Sequence, residues 1–170
     1  MRRGRHDGGG YGTLRLMTMA LSADLAVKGA ARFLLSGKTV PLVLGFRLEL
    51  HLNSGVSFGL TPTLGWAVGL LGLAVLLGLT WASRGRTGRA GCGLALLWAG
   101  GLSNALERLF LGSVTDFFLV PLQRIPWVPL SGLYLNLADL WLFLGAVLLL
   151  LDFLSHTKGG GGEPSAADKP

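Results

Sequence analysis

Charge is scarce in this chain. Only 14% of its 170 residues are charged and 51% are hydrophobic, against about 25% charged in an ordinary soluble domain. Such a composition excludes a disordered chain and a nucleic-acid-binding one, and the net charge of +6 is spread in short clusters between apolar runs rather than along one polar face. Cysteine is nearly absent: the single Cys92 excludes an intramolecular disulfide. Histidine is equally sparse, and His6, His51 and His156 lack the spacing of a metal site. No metal and no organic cofactor is expected. Glycine is abundant, at 27 residues, but has no collagen period. Glycines inside apolar runs read as close helix packing, and those of Gly8-Gly9-Gly10 and Gly159-Gly160-Gly161-Gly162 as flexible ends.

What is present is a set of long apolar runs. Leu64 to Ala82 is almost wholly apolar, close to the roughly 20 residues that cross a bilayer as a helix. Ala90 to Leu106 follows the short basic turn Ser83-Arg84-Gly85-Arg86-Thr87-Gly88-Arg89, and Leu135 to Leu154 carries only Asp139 and Asp152. A further run, Leu14 to Leu35, is interrupted by Arg15, Asp24, Lys28 and Arg32 but is read as a span too. The expected fold is an all-α membrane protein of four transmembrane helices. A small extracytoplasmic β element is expected between about Ser36 and Thr61, where Phe46 to Leu52 alternates apolar and polar. Residues 1–13 and 155–170 are expected to be cytoplasmic tails, the first flexible and the second disordered, flanking a domain over 14–154.

Basic residues orient the chain. Arg2, Arg3, Arg5, Arg15, Arg84, Arg86, Arg89, Lys158 and Lys169 fall on one side, and Lys38, Arg47, Arg108 and Arg124 on the other. Both termini are therefore expected in the cytoplasm. The first helix is read as retained rather than as a cleaved signal peptide, because no small-residue cleavage site follows it. On this topology the costly polar residues gather toward the outer leaflet: Asp24 and Lys28, Asn53, Asn104, Glu107 and Arg108, Asp116, Asn136 and Asp139. Ionisable residues at membrane depth mark a site or an internal pair.

Blander readings compete for several of them. Asp24 and Lys28, spaced i,i+4, fit a simple pair on one helix face. Glu107 and Arg108 are adjacent and point in different directions, as interfacial anchors would. Gly65 with Gly69 and Gly100-Gly101 fit helix packing. Trp66, Trp81, Trp98, Trp127 and Trp141 fit interfacial anchoring, and Asp152 and His156 a solvated cytoplasmic exit. Asp116 and Asp139 fit a bland role least, since neither has a cation at helical spacing and both flank one short outer loop. Two carboxylates sharing a partly dry site do not both ionise. The charged member activates water and the neutral one polarises a peptide carbonyl, which is aspartic-protease chemistry.

Five segments, in order, resemble those of the lipoprotein signal peptidase (signal peptidase II) family: Asp24-Leu-Ala-Val-Lys28, Asn53-Ser-Gly55-Val-Ser-Phe58-Gly59, Gly100-Gly101-Leu-Ser-Asn104-Ala-Leu-Glu107-Arg108, Val114-Thr-Asp116-Phe117 and Leu135-Asn136-Leu-Ala138-Asp139. The chain departs from the family pattern at Ser103 (usually glycine), Glu107 (aspartate), Leu135 (phenylalanine) and Leu140 (often serine). Because the pattern holds aspartate at position 107, Glu107→Asp is expected to be tolerated. The resemblance implies a four-helix bacterial inner-membrane aspartic protease, a monomer whose site lies toward the outer leaflet. It would cleave prolipoproteins on the amino side of a diacylglyceryl-modified cysteine. It further implies Asp116 and Asp139 as the catalytic pair, with Asp24, Lys28, Asn53, Gly55, Asn104, Arg108 and Asn136 binding substrate or supporting the pair. Membrane lipid would be the other partner, and nucleic acid would not be one. Two rival readings are a relative that binds lipoprotein precursors without cutting them and an ion-coupled transporter. The second is disfavoured because the cytoplasmic half of every span lacks a relay.

Overall fold

The computed structural model describes residues 8–54, 65–84, 86–123 and 132–159. Gly55, Arg124 and Trp127 lie outside the described residues. Four long helices fall on the four apolar runs: α1 Gly8–Leu34, α2 Gly65–Ala82, α3 Arg89–Leu111 and α4 Leu137–Gly159. α1 starts ahead of Leu14, and α3 continues past Leu106 to take in Glu107 and Arg108, stopping where Gly112 adopts φ 72°. That left-handed turn ends a helix at little cost only when the residue lacks a Cβ.

α3 is the central helix, packed against α1, α2 and α4. Its buried face is built from small residues, among them Ala90, Gly93, Ala95, Ala99, Gly100 and Ala105, so neighbouring backbones come close enough for dispersion forces to act along the seam. The tightest approach is to α4. A Cβ on Gly145 would lie 2.7 Å from the Gly93 carbonyl oxygen, and one on Gly100 would lie 2.5 Å from that of Ala138. Larger side chains point outward: Leu71, Leu77, Trp81 and Phe143 are all exposed. Among the described residues, α4 alone is long and apolar enough to cross a bilayer by length and composition, over Leu137–Thr157; the apolar stretch Trp66–Ala82 is shorter. In α1 and α3 the charges that build the site, Asp24, Lys28, Arg32, Glu107 and Arg108, interrupt the hydropathy.

The chain is mostly helical, and the expected β element is larger than the α1–α2 connection alone: a four-stranded antiparallel sheet stands at one end of the helices, in the order β1-β2-β3-β4. β1 (Thr39–Pro41) and β2 (Arg47–Asn53) lie where the sequence predicts a β element. β3 (Val114–Pro121) and β4 (Gly132–Leu135) come from the α3–α4 connection, where the sequence analysis placed only a short loop. β3 pairs on both edges, with β2 and with β4. Within β3 the run Phe117-Phe118-Leu119-Val120 is continuously apolar and lacks the period-two alternation that marks a strand with one solvated face.

Two other expectations change. Asp152 is buried rather than solvated, accepting from Arg86 at 3.3 Å with His156 at 3.6 Å, which ties the α2–α3 turn to the end of α4. Trp98 and Trp141 turn their indole N–H groups inward, to Thr80 Oγ1 at 2.8 Å and the Ala20 carbonyl at 3.2 Å, whereas Trp66 and Trp81 are exposed. The α3–α4 seam gives a test. Gly100→Ala forces a methyl onto the Ala138 carbonyl and should cost about 1–3 kcal/mol of stability as overpacking. Thermal denaturation in detergent measures it, and an unchanged melting temperature would contradict the packing.

Candidate active site

The site begins at the N-terminus of α4, where helix formation leaves backbone N–H groups without intrahelical acceptors. Asn136 and Asp139 answer this reciprocally. The Asp139 N–H donates to Asn136 Oδ1 at 3.2 Å, and the Asn136 N–H donates to Asp139 Oδ2 at 2.8 Å. This is a capping box made by an Asn and an Asp three residues apart. It fixes the Asp139 carboxylate against the start of its own helix.

The side-chain amide of Asn136 reaches the other way. Its Nδ2 donates to Asp116 Oδ1 at 2.7 Å and, more weakly, to Asn104 Oδ1 at 3.4 Å. Asn136 therefore holds both carboxylates, one through its backbone and one through its side chain. Asp116, near the start of β3, is 3% exposed, and its second oxygen accepts from Asn53 Nδ2 at 3.2 Å. Burial pushes the Asp116 carboxyl above the usual aspartate range, and the Asp139 charge adds to this; the bonds from Asn136 and Asn53 and the positive field of His51 pull the other way.

Behind the pair lies a charge cluster sealed between α1 and α3. Asp24, Lys28 and Arg32 follow one another at i, i+4 and i+8 on α1 and face Ser103, Asn104 and Glu107 of α3. Lys28 is 1% exposed. Its ammonium meets Asp24 at 2.8 Å, Asn104 Oδ1 at 2.6 Å, and both Glu107 and Ser103 at 3.3 Å. The Ser103 hydroxyl donates to Asp24. Two acids face two bases, so the cluster is neutral, which is the condition for burying charge at tolerable cost. Because Lys28 donates to Asn104 Oδ1, that amide is oriented to accept also from Asn136, and the cluster is linked to the carboxylate pair.

A polar cavity of about 190 Å³ is lined by Asp116, Asp139, Asn53, Asn104, Arg108 and Asn136. Arg108 donates to the Asn104 carbonyl at 3.4 Å, and its buried Nε has no protein acceptor among the described residues. Two larger apolar grooves also reach Asp139. One, of about 530 Å³, runs along α2 past Gly69, Gly72 and Leu76; the other, of about 670 Å³, lies between Val27, Phe117, Phe118 and Phe143. Among the described residues no group of His, Cys, Asp and Glu is arranged to hold a metal ion.

All the sequence-derived site residues within the described chain converge here: Asp24 and Lys28 on α1, Asn53 on β2, Asn104 and Arg108 on α3, Asp116 on β3, and Asn136 and Asp139 at the head of α4. Asp24 and Lys28 form the simple pair considered from their spacing, yet that pair extends to α3. Sequence reasoning missed Arg32 and Thr115, noted Ser103 only as a departure from the family pattern, and placed Glu107 in the polar cluster or as an interfacial anchor without naming it a site residue. The signal for Arg32 is its continuation of the 24/28 spacing, and the two α3 departures from the family pattern turn out to face one cluster. Lys28→Met would strand the Asp24 carboxylate and should cost the roughly 3–5 kcal/mol of a broken buried pair. A detergent melt reads the loss, and a wild-type melting temperature would contradict the burial.

Residues 16–155 match the sequence profile of signal peptidase (SPase) II. The lipoprotein signal peptidase of Ralstonia nicotianae is 31% identical over 165 residues, covering 91% of this chain and 92% of the relative. That of Sinorhizobium fredii is 35% identical over 146 residues, covering 82% and 84%. A solved bacterial membrane enzyme superposes with a TM-score of 0.71 at 18% identity, covering 89% of this chain and 93% of its own. The matched range takes in most of each helix and the whole sheet, and the chain belongs to the signal peptidase II family.

Proposed function

We propose that this chain is a membrane aspartic endopeptidase that removes the signal peptide of prolipoproteins on the amino side of a diacylglyceryl-modified cysteine. The observation that carries the aspartic mechanism is the joint hold of Asn136 on Asp116 and Asp139. Two carboxylates held by one residue and facing one cavity share a proton, because ionising both in a partly dry site is costly. Arg108 lines the same cavity, and its field, with that of Lys28 behind Asp139, favours one negative charge there. The ionised carboxylate takes a proton from water as the hydroxyl attacks the scissile carbonyl, while the protonated one donates toward the developing oxyanion. Collapse of the tetrahedral intermediate passes a proton to the leaving amine. The pair then returns to one proton, with no metal or organic cofactor in the cycle.

The apolar grooves on either side of Asp139 suit the two apolar parts of such a substrate, the diacylglyceryl chains and the signal helix. The exposed apolar residues on the helices suit a bilayer. On this reading all four helices span the bacterial inner membrane, both termini are cytoplasmic, the domain covers 14–154, and the sheet and site lie toward the outer leaflet. In a Cys92→Ser background, Arg47→Cys should be labelled from outside and Arg86→Cys only from the cytoplasm. Labelling of position 47 from the cytoplasm alone would overturn the topology.

Asp116→Asn and Asp139→Asn should each leave a folded protein whose cleavage of lipidated precursor falls at least the roughly 10²–10⁴-fold of lost general acid–base catalysis. The double variant should be hardly worse than either single one, since the pair acts as a unit. Near wild-type cleavage by either variant would defeat the aspartic mechanism, and a wild type that binds precursor without cutting it would favour the non-catalytic reading. The pH profile carries the same logic. Because burial raises Asp116, the pair keeps its last proton above the ordinary aspartate pKa of about 3.9. The alkaline fall of kcat/KM should therefore lie above that value.

A further inference from the structure

β3 loses its partner strand where catalysis needs it most. β4 pairs only with Phe118–Pro121, so Thr115 and Asp116 extend past its end. On this edge the Thr115 N–H is taken by a side chain instead: Glu107 Oε2 accepts it at 2.8 Å, while Glu107 Oε1 accepts the Thr115 hydroxyl at 2.6 Å. Arg32 completes the arrangement. Its Nε donates to Thr115 Oγ1 at 2.7 Å, and its Nη2 lies 3.3 Å from Glu107 Oε1. With a lone pair of the hydroxyl engaged by Arg32, its hydrogen is directed to Glu107. Thr115 is fully buried, so water does not substitute for these partners.

We infer that Glu107, with Arg32, is a positioning device for the catalytic strand: it grips Thr115 by backbone and side chain and thereby sets where the next residue, Asp116, presents its carboxyl to Asn136 and to the scissile bond. The inference rests on the aspartic-protease reading. Glu107 does not line the cavity and makes no hydrogen bond to Asp116; its direct link to the Asp116 strand is Thr115, and its pairing with Lys28 reaches the carboxylates only through Asn104. Its length matters. An aspartate at position 107 is one methylene shorter, and with α3 and β3 fixed it does not span to both the N–H and the hydroxyl. The tolerance of Glu107→Asp expected from the family pattern is thus not what this geometry favours.

Substituting Glu107 with a neutral residue would leave Lys28 and Arg32 in excess inside the cluster and confound a positioning effect with loss of folding, so the test is placed at Thr115, where no charge changes. Thr115→Val keeps the shape and the N–H but deletes the hydroxyl; Thr115→Ser keeps the hydroxyl and loses a methyl. A positioning role predicts that Val lowers kcat tenfold or more, toward the ~10²-fold cost of an ångström's misplacement. KM for the lipidated precursor should stay within about twofold of wild type, and Ser should stay close to wild-type kcat. A purely packing role predicts the reverse order, because Val is the better match in shape. Asp116→Asn is run alongside. If Asp116→Asn is inactive and Thr115→Val cleaves at the wild-type rate, the positioning inference is overturned and the protease reading stands. If Asp116→Asn itself cleaves normally, the failure lies in the protease reading.

Discussion

Two carboxylates are kept in one partly buried site by a single asparagine, and the rest of the structure serves that constraint. The Asn136 N–H and the Asp139 N–H complete a helix cap that α4 needs in any case, so the hold on Asp139 comes with helix formation. The side-chain amide is then left to reach Asp116 across from the sheet. α3 and α4 come close enough for this because Gly93, Gly100 and Gly145 remove the side chains that would keep them apart.

A buried amide network is only as definite as the group that fixes its donors and acceptors. Here that group is Lys28, which assigns Asn104 Oδ1 as acceptor and is itself neutralised by Asp24 and Glu107. Glu107 serves both regions, balancing Lys28 and Arg32 on one side and gripping Thr115 beside Asp116 on the other. The electrostatic balance of the α1–α3 interface and the placement of the strand that carries Asp116 are therefore coupled. Ser103, the other departure from the family pattern in this stretch, adds a hydroxyl donor to Asp24 within the same cluster.

Four helices were legible because apolar runs of nearly bilayer length leave few other options, and β2 was legible through the alternation about Phe46 to Leu52. β3 and β4 were not, since Phe117 to Val120 is a continuous apolar run without alternation and β4 is only four residues long. The convergence of Asp24, Lys28, Asn53, Asn104, Arg108, Asp116, Asn136 and Asp139 followed from the cost of polar groups at membrane depth, which drives them to one place. Which of them touch did not follow: Thr115 is an ordinary threonine in sequence, and its importance arises only because β4 stops at Leu135, opposite Phe118. Asp152 looked like a solvated exit residue for a similar reason, as its partner Arg86 is distant in sequence.

The account stands or falls on Asn136 as the common support of the two aspartates. The direct measurement is the single-turnover cleavage rate of a lipidated precursor peptide by purified Asn136→Ala, with folding followed by its thermal melt. Alanine keeps the backbone N–H bond to Asp139 but removes the amide that holds Asp116 and, with it, the acceptor for the Asp139 N–H, so the account predicts a folded protein, with a melt lowered by the lost cap, that cleaves at least tenfold more slowly, within the range of lost positioning. A folded Asn136→Ala that cleaves at the wild-type rate would contradict it.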